Sequence, residues 1–174
     1  MEIDRIIGKI LQGYQPACVV ITANELKIFD ELKQPVTPKQ VAKNLNLDPE
    51  ACARLLNALT SLEIITKENN NYYLPQAFQE YLVTGGSHSM QQWIKLSADL
   101  YPIWGQLATF IKSGILIKNI MEMLGSDPHK MRAFTDAMHD KALKATWMIA
   151  REVPVGDAKN MLDIGGGPGT YALE

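Results

Sequence analysis

The residues best suited to chemistry stand together near one end of the chain, in Asp163-Ile-Gly165-Gly166-Gly167-Pro-Gly169-Thr170. Glycine has no Cβ, so it accepts φ > 0 and lets a ligand lie almost on the backbone, with N–H groups facing it. Met161, Leu162 and Ile164 form an apolar run long enough for one buried strand of a parallel sheet. Asp163 would then lie at the carboxyl end of that strand, where α/β sheets place their ligands. A helix starting near Thr170 would add the positive end of its dipole, which suits a carboxylate or a phosphate. The pattern predicts a strand, a cofactor loop and a helix start, in that order. A Gly-rich surface turn is the bland alternative, and the acid embedded in an apolar run directly before the glycines weighs against it.

The tetrad Asp163-x-Gly165-x-Gly167-x-Gly169 resembles the first motif of S-adenosyl-L-methionine-dependent methyltransferases. Its triple glycine is similar to that of small-molecule O-methyltransferases carrying an N-terminal winged-helix dimerisation domain. The resemblance implies S-adenosyl-L-methionine as cofactor. Asp163 would help to hold its amino group, and Gly165, Gly166, Gly167 and Gly169 would wrap its methionine part. Gly167-Pro-Gly169-Thr-Tyr-Ala172 also satisfies the Ala-ended dinucleotide pattern, which keeps a nicotinamide dehydrogenase open as an alternative.

Bulk properties bound the rest. A 174-residue chain with 47% hydrophobic and 21% charged residues has enough apolar material for a packed core. A net charge of -2 lacks the basic surplus of a dedicated nucleic-acid binder. Cys18 and Cys52 are far apart, each within a helical apolar pattern, and read as core residues in a reducing compartment, with no metal site implied. No apolar run approaches the roughly 18 residues of a membrane helix, and the N-terminus lacks a signal-peptide layout. The expected location is cytoplasmic, away from membranes.

The elements that must position the loop can be read by period. Ile3, Ile6, Ile7, Ile10, Leu11 and Tyr14 form one continuous helical stripe, ended at Gln15-Pro16. It packs either on its own domain or into a partner subunit. A second helix is expected over about 17–32. Thr37-Pro38-Lys39-Gln40 is a capping box with proline at the first helical position, and Asp48-Pro49 caps a helix carrying Cys52, Leu55, Leu56, Leu59 and Leu62. Residues 63–75 read as a hairpin about Asn69-Asn70-Asn71. Helix, turn, helix and hairpin make a winged helix. Its recognition helix offers Arg54 and Asn57 against Asp48, Glu50 and Glu63, a poor charge balance for phosphates, and Glu50 and Arg54 read more simply as a surface pair.

Residues 76–83 read as a further short helix, and Thr84-Gly85-Gly86-Ser87 as a linker. A long helix follows over 89–112 with Trp93, Leu96, Leu100, Leu107 and their neighbours inward, broken or kinked by Pro102 and ended by Ser113-Gly114. Residues 115–124 are apolar and ambiguous between helix and extended chain. Asp127-Pro128 starts another helix bearing Met131, Phe134, Met138, Ala142, Ala145 and Ile149, stopped by Val153-Pro154.

This order resembles the N-terminal half of the O-methyltransferases named above, as do the words Leu26-Lys-Ile-Phe-Asp30 and Phe134-Thr-Asp-Ala-Met138. The resemblance makes Met138 and His139 candidate acceptor contacts; stripe geometry alone reads them as a core methionine and a surface histidine. The expected fold is mainly α. A winged-helix dimerisation domain (1–84) leads into long helices (85–154), followed by the first strand and glycine loop of a Rossmann-like domain (155–174). The implied function is transfer of a methyl group to a small hydroxylated acceptor, aromatic or otherwise, in a homodimer. In that family the ribose-binding acid lies beyond the loop, about twenty residues on in comparable folds, and the general base lies further still. No catalytic residue is therefore assigned to this chain, which is expected to be inactive alone and to leave residues 155–174 poorly ordered or borrowing a partner from another chain. A dimerisation module without activity and a winged-helix regulator are the alternatives.

Overall fold

The structure, a computed structural model, describes residues 2–115, 122, 125, 127–154 and 156–173. The chain forms two compact units, Met1–Ser89 and Met90–Glu174.

The first unit begins with α1 (Glu2–Gln12) and α2 (Tyr14–Glu25). The break falls at Gly13, two residues earlier than Gln15-Pro16 suggests. Pro16 sits in the first turn of α2, where a backbone N–H has no intrahelical partner and its loss is harmless. The helix expected over 17–32 is also divided. Lys27 adopts the left-handed conformation (φ 56°) and separates α2 from α3 (Ile28–Glu31). That turn carries Ile28 and Phe29 into the core, and their burial compensates for the unfavourable backbone at Lys27.

The helix–turn–helix follows the sequence closely. In α4 (Pro38–Leu45) the Thr37 hydroxyl accepts from the Gln40 N–H at 3.3 Å. The reciprocal half of the capping box is absent, because the Gln40 side chain donates to Asn44 Oδ1 at 2.6 Å instead. Asn46 closes α4 in the left-handed region, with Leu47 N–H donating to the Ala42 carbonyl at 2.8 Å. In α5 (Pro49–Ser61) Asp48 Oδ1 accepts from the Ala51 N–H at 2.8 Å, and Cys52, Leu56 and Leu59 turn inward.

The wing is an antiparallel pair, β1 (Thr66–Glu68) and β2 (Asn71–Tyr73), with Thr66 opposite Tyr73. Asn69 (φ 46°) and Asn70 (φ 66°) are both left-handed, the requirement of a two-residue I′ turn that asparagine tolerates. Val36 and Tyr72 exchange backbone hydrogen bonds of 3.0 and 2.8 Å, which seats the wing on the segment before α4. Leu32, Val41, Tyr72 and Leu74 complete the core. The unit closes with α6 (Gln76–Leu82) and a clasp in which the Thr84 N–H and hydroxyl donate to the two oxygens of Asp30 at 2.8 and 2.7 Å.

The second unit pairs α7 (Gln91–Trp104) with α9 (Pro128–Glu152). Pro102 does not break the helix at its own position: α7 runs two residues further, and α8 (Leu107–Ser113) follows after Gly105-Gln106. Ile94 and Leu96 are buried, whereas Leu107, expected inward, is exposed. Where the period leaves Ile103 or Trp104 and Phe110 or Ile111 to face inward, Ile103 and Phe110 are half-buried and Trp104 and Ile111 exposed. Gly114 ends α8 in the left-handed region (φ 68°). Most of the ambiguous 115–124 stretch lies outside the described residues.

The clearest correction concerns residues 161–164. They form no strand, and Met161, Leu162 and Ile164 are 67%, 82% and 87% exposed. A strand satisfies its N–H and C=O groups only through a neighbour, and the only sheet among the described residues is the two-stranded wing. Leu56→Ala should therefore cost about 2–5 kcal/mol in urea denaturation, and Leu162→Ala should stay within about 0.5 kcal/mol of the parent. Comparable losses at both positions would contradict this placement of the core.

Candidate functional site

The glycine segment has a backbone that only glycine serves well. Gly165, Gly167 and Gly169 adopt φ of 76°, 55° and 72°, the left-handed region in which a Cβ is penalised. Gly166 differs, because its backbone is not left-handed and what lies against it is a side chain. The Asp163 side chain folds back over it, so that a Cβ at position 166 would overlap the carboxylate. The four glycines and the acid are thus one interlocked turn, with Asp163, Gly165 and Gly167 at the surface.

The expected helix at Thr170 does not form. Gly169 N–H donates to the Gly166 carbonyl at 2.9 Å, and the Gly169 carbonyl accepts from the Ala172 and Leu173 N–H groups at 3.0 and 3.1 Å. These bonds close one turn around Gly169.

Around this loop the structure adds two residues that the sequence did not single out. Thr170 is buried at 3% exposure, and its Oγ1 lies 2.8 Å from Nδ1 of His139 on α9. Asp140, the next residue of α9, accepts at Oδ2 from the Gln92 and Trp93 N–H groups at 3.2 and 3.4 Å. Met90, at the cap position of α7, supplies no side-chain acceptor, so Asp140 caps α7 from another helix. Lys141 follows with its ammonium 4.7 Å from the Trp93 ring centroid. Met138 is half-buried on the same helix. His139 is thus brought to the loop. A lone Thr after a glycine and an Asp beside a His carry no periodic signal, which is why neither stood out.

Burial pushes the Asp140 carboxyl up from its ordinary range; the Trp93 and Gln92 N–H groups and nearby His139 oppose the rise, and Asp136 adds to it.

The wing side of the first unit is committed to internal contacts. Asn57 Oδ1 accepts from Tyr72 OH at 2.8 Å and Lys67 Nζ at 3.0 Å, and Arg54 pairs with Glu50 at 3.5 Å. Asn57 is thereby held within the fold, while the Arg54–Glu50 pair is solvent-exposed. The stripe of α1 is open: Ile3 and Ile10 are 71% and 72% exposed, and Ile6, Ile7, Leu11 and Tyr14 are at least half exposed. Cys18 and Cys52 are free thiols, and among the described residues no His, Cys, Asp or Glu cluster could hold a metal ion. No described helix is long and apolar enough to cross a membrane.

Comparison with known proteins places these features. Residues 9–84 match the O-methyltransferase dimerisation domain family. The chain is 25% identical over 177 residues to the S-adenosyl-L-methionine-dependent methyl transferase PigF of Serratia sp., an alignment covering 94% of this chain and 50% of PigF. The solved structure of an O-methyltransferase family protein from Burkholderia thailandensis superposes with a TM-score of 0.83 at 23% identity, covering 99% of this chain and 52% of that one. Human N-acetylserotonin methyltransferase, solved in complex with S-adenosylmethionine, superposes with a TM-score of 0.84 at 20% identity, covering 99% and 55%. The chain spans about half the length of the curated relatives it matches.

Because its raised pKa makes the folded state hold the Asp140 proton more tightly than the unfolded state, this site adds stability as pH falls and loses it as pH rises through the folded pKa. The urea midpoint of the parent relative to Asp140→Asn should therefore increase as pH is lowered through the window just above the usual carboxylate range. A difference that instead grows with rising pH would show that the two N–H donors outweigh burial.

Proposed function

We propose that this chain, whose residues 9–84 match the O-methyltransferase dimerisation domain, is the N-terminal portion of a homodimeric S-adenosyl-L-methionine-dependent O-methyltransferase. Its acceptors are small hydroxylated molecules. The observation that carries this reading is the interlocked turn at 163–169, in which three left-handed glycines and one glycine beneath a carboxylate leave backbone and acid open at the surface.

The residues present fit the donor. The Asp163 carboxylate is an acceptor for an ammonium group, and the Cβ-free backbone of Gly165, Gly166, Gly167 and Gly169 allows close approach along the rest of an amino-acid moiety. S-adenosyl-L-methionine, when bound, supplies an electrophilic methyl group on a sulfonium sulfur. The chain's own part is to bind and orient, since in-line transfer depends on holding two reactants in register. Met138 and His139 on α9 are assigned to the acceptor side. The general base is assigned to no residue of this chain, and activity belongs to the longest reading frame that carries it.

The pairing role rests on α1. Five large apolar side chains lying half or more exposed along the face of α1, with Tyr14 just beyond it, make a patch that a monomer does not leave in water without cost. A second copy of the chain is the proposed cover, in keeping with the dimerisation family that matches this unit. The internal engagement of Asn57 by Tyr72 and Lys67 supports pairing over DNA reading.

Two measurements test this reading. Calorimetric titration of S-adenosyl-L-methionine into the longest reading frame should show binding that Gly166→Val weakens by at least about tenfold, roughly the loss of one charge-assisted contact. An unchanged affinity with the far-ultraviolet dichroism preserved would remove the loop from the site. In sedimentation, the parent should run as a dimer and Ile6→Asp/Ile10→Asp as a folded monomer. A parent that stays monomeric at high concentration would end the pairing proposal.

A further inference from the structure

Two consecutive residues of α9 serve two different neighbours: His139 reaches the turn that closes the glycine loop, and Asp140 caps α7. Met138, just before them, lies on the apolar stripe proposed above for the acceptor side. Successive helical residues point about 100° apart, so adjacent residues of one turn can grip different partners at one level. We propose, building on the donor-site reading above, that His139 is a positioning residue: through Thr170 it fixes the glycine loop relative to the acceptor-facing helix.

The geometry supports this in three respects. The Nδ1–Oγ1 separation of 2.8 Å is that of a good hydrogen bond, and a hydroxyl donates or accepts as the imidazole tautomer requires, so the link survives in either tautomer. Thr170 is buried while the loop residues ahead of it are largely at the surface, which makes it the anchored end of an otherwise open turn. The Gly169 carbonyl, one residue before Thr170, accepts from both Ala172 and Leu173, so a restraint on Thr170 is passed directly to the left-handed Gly169. On the helix side, α9 is held at Asp140 by the two N–H groups of α7, giving the imidazole a fixed base from which to act. His139 therefore registers the donor loop against the helix that faces the acceptor, and it does so without being a catalytic residue.

The test uses calorimetric affinity for S-adenosyl-L-methionine in the longest reading frame that carries this chain. His139→Ala and Thr170→Val should each weaken binding by about three- to tenfold, the loss of one neutral hydrogen bond. The double variant should lose no more than either alone. His139→Asn, whose amide can occupy the Nδ1 position, and Thr170→Ser, which keeps the hydroxyl, should both recover most of the loss. Thermal midpoints should not follow this pattern, since a merely structural role would track stability and not the rescue. Additive losses, or His139→Asn no better than His139→Ala, would overturn the positioning role while leaving the donor site intact. Should His139→Ala fail to fold, the Thr170→Val and Thr170→Ser pair decides alone by the same criterion. A parent protein that binds no S-adenosyl-L-methionine overturns the donor-site reading and this proposal with it.

Discussion

Backbone N–H and C=O groups must find partners, and most of the architecture follows from where they do so. Each helix end leaves donors or acceptors outside the helical ladder. Thr37, Asp48 and Asp127 satisfy three N-termini with their own side chains, at 3.3, 2.8 and 2.9 Å. The fourth case is different in kind, because α7 is capped by Asp140 from α9. A local cap fixes only where a helix begins, whereas a cap supplied from another helix also fixes how two helices lie against each other. The packing of α7 on α9 is thereby tied to the same helical turn that reaches the glycine loop. Where no partner exists the chain does not form the element, as at 161–164.

Apolar surface is distributed by the same logic of partners present or absent. In the first unit α4, α5 and the wing bury Val41, Leu56, Leu59 and Tyr72 nearly completely, and Tyr72 keeps its hydroxyl satisfied by Asn57. By contrast α1 buries none of its stripe, and Trp104 and Ile111 of the second unit are about 70% exposed. Amphipathic helices with open apolar faces are unusual in monomers and ordinary in subunit contacts. The described chain thus has a complete small core around the wing and open apolar faces on α1 and in the second unit.

The glycine loop shows how much of a site can be legible without its surroundings. Alternating glycines after an acid announced a backbone that needs left-handed φ, and Gly165, Gly167 and Gly169 adopt it. The reason for Gly166 was hidden, because it depends on the direction of the Asp163 side chain. At 161–164 apolar composition sets what a strand would bury, but pairing decides whether it forms, and no partner strand lies beside it among the described residues.

The sequence by itself determined the features governed by local chemistry: the capped starts at Pro38, Pro49 and Pro128, the asparagine turn of the wing, the apolar stripe of α1 and the glycine pattern at 165–169. Each is set by steric limits or hydrogen bonds spanning a few residues, so a short window contains the whole cause. Tertiary structure alone decided that Lys27 would split a helix to bury Ile28 and Phe29, and that Asn57 would face the wing. It also decided that His139 and Asp140 would join the loop and α7 to one turn of α9. Those outcomes depend on which distant groups arrive within about 3 Å of one another, and spacing along the chain does not encode that proximity.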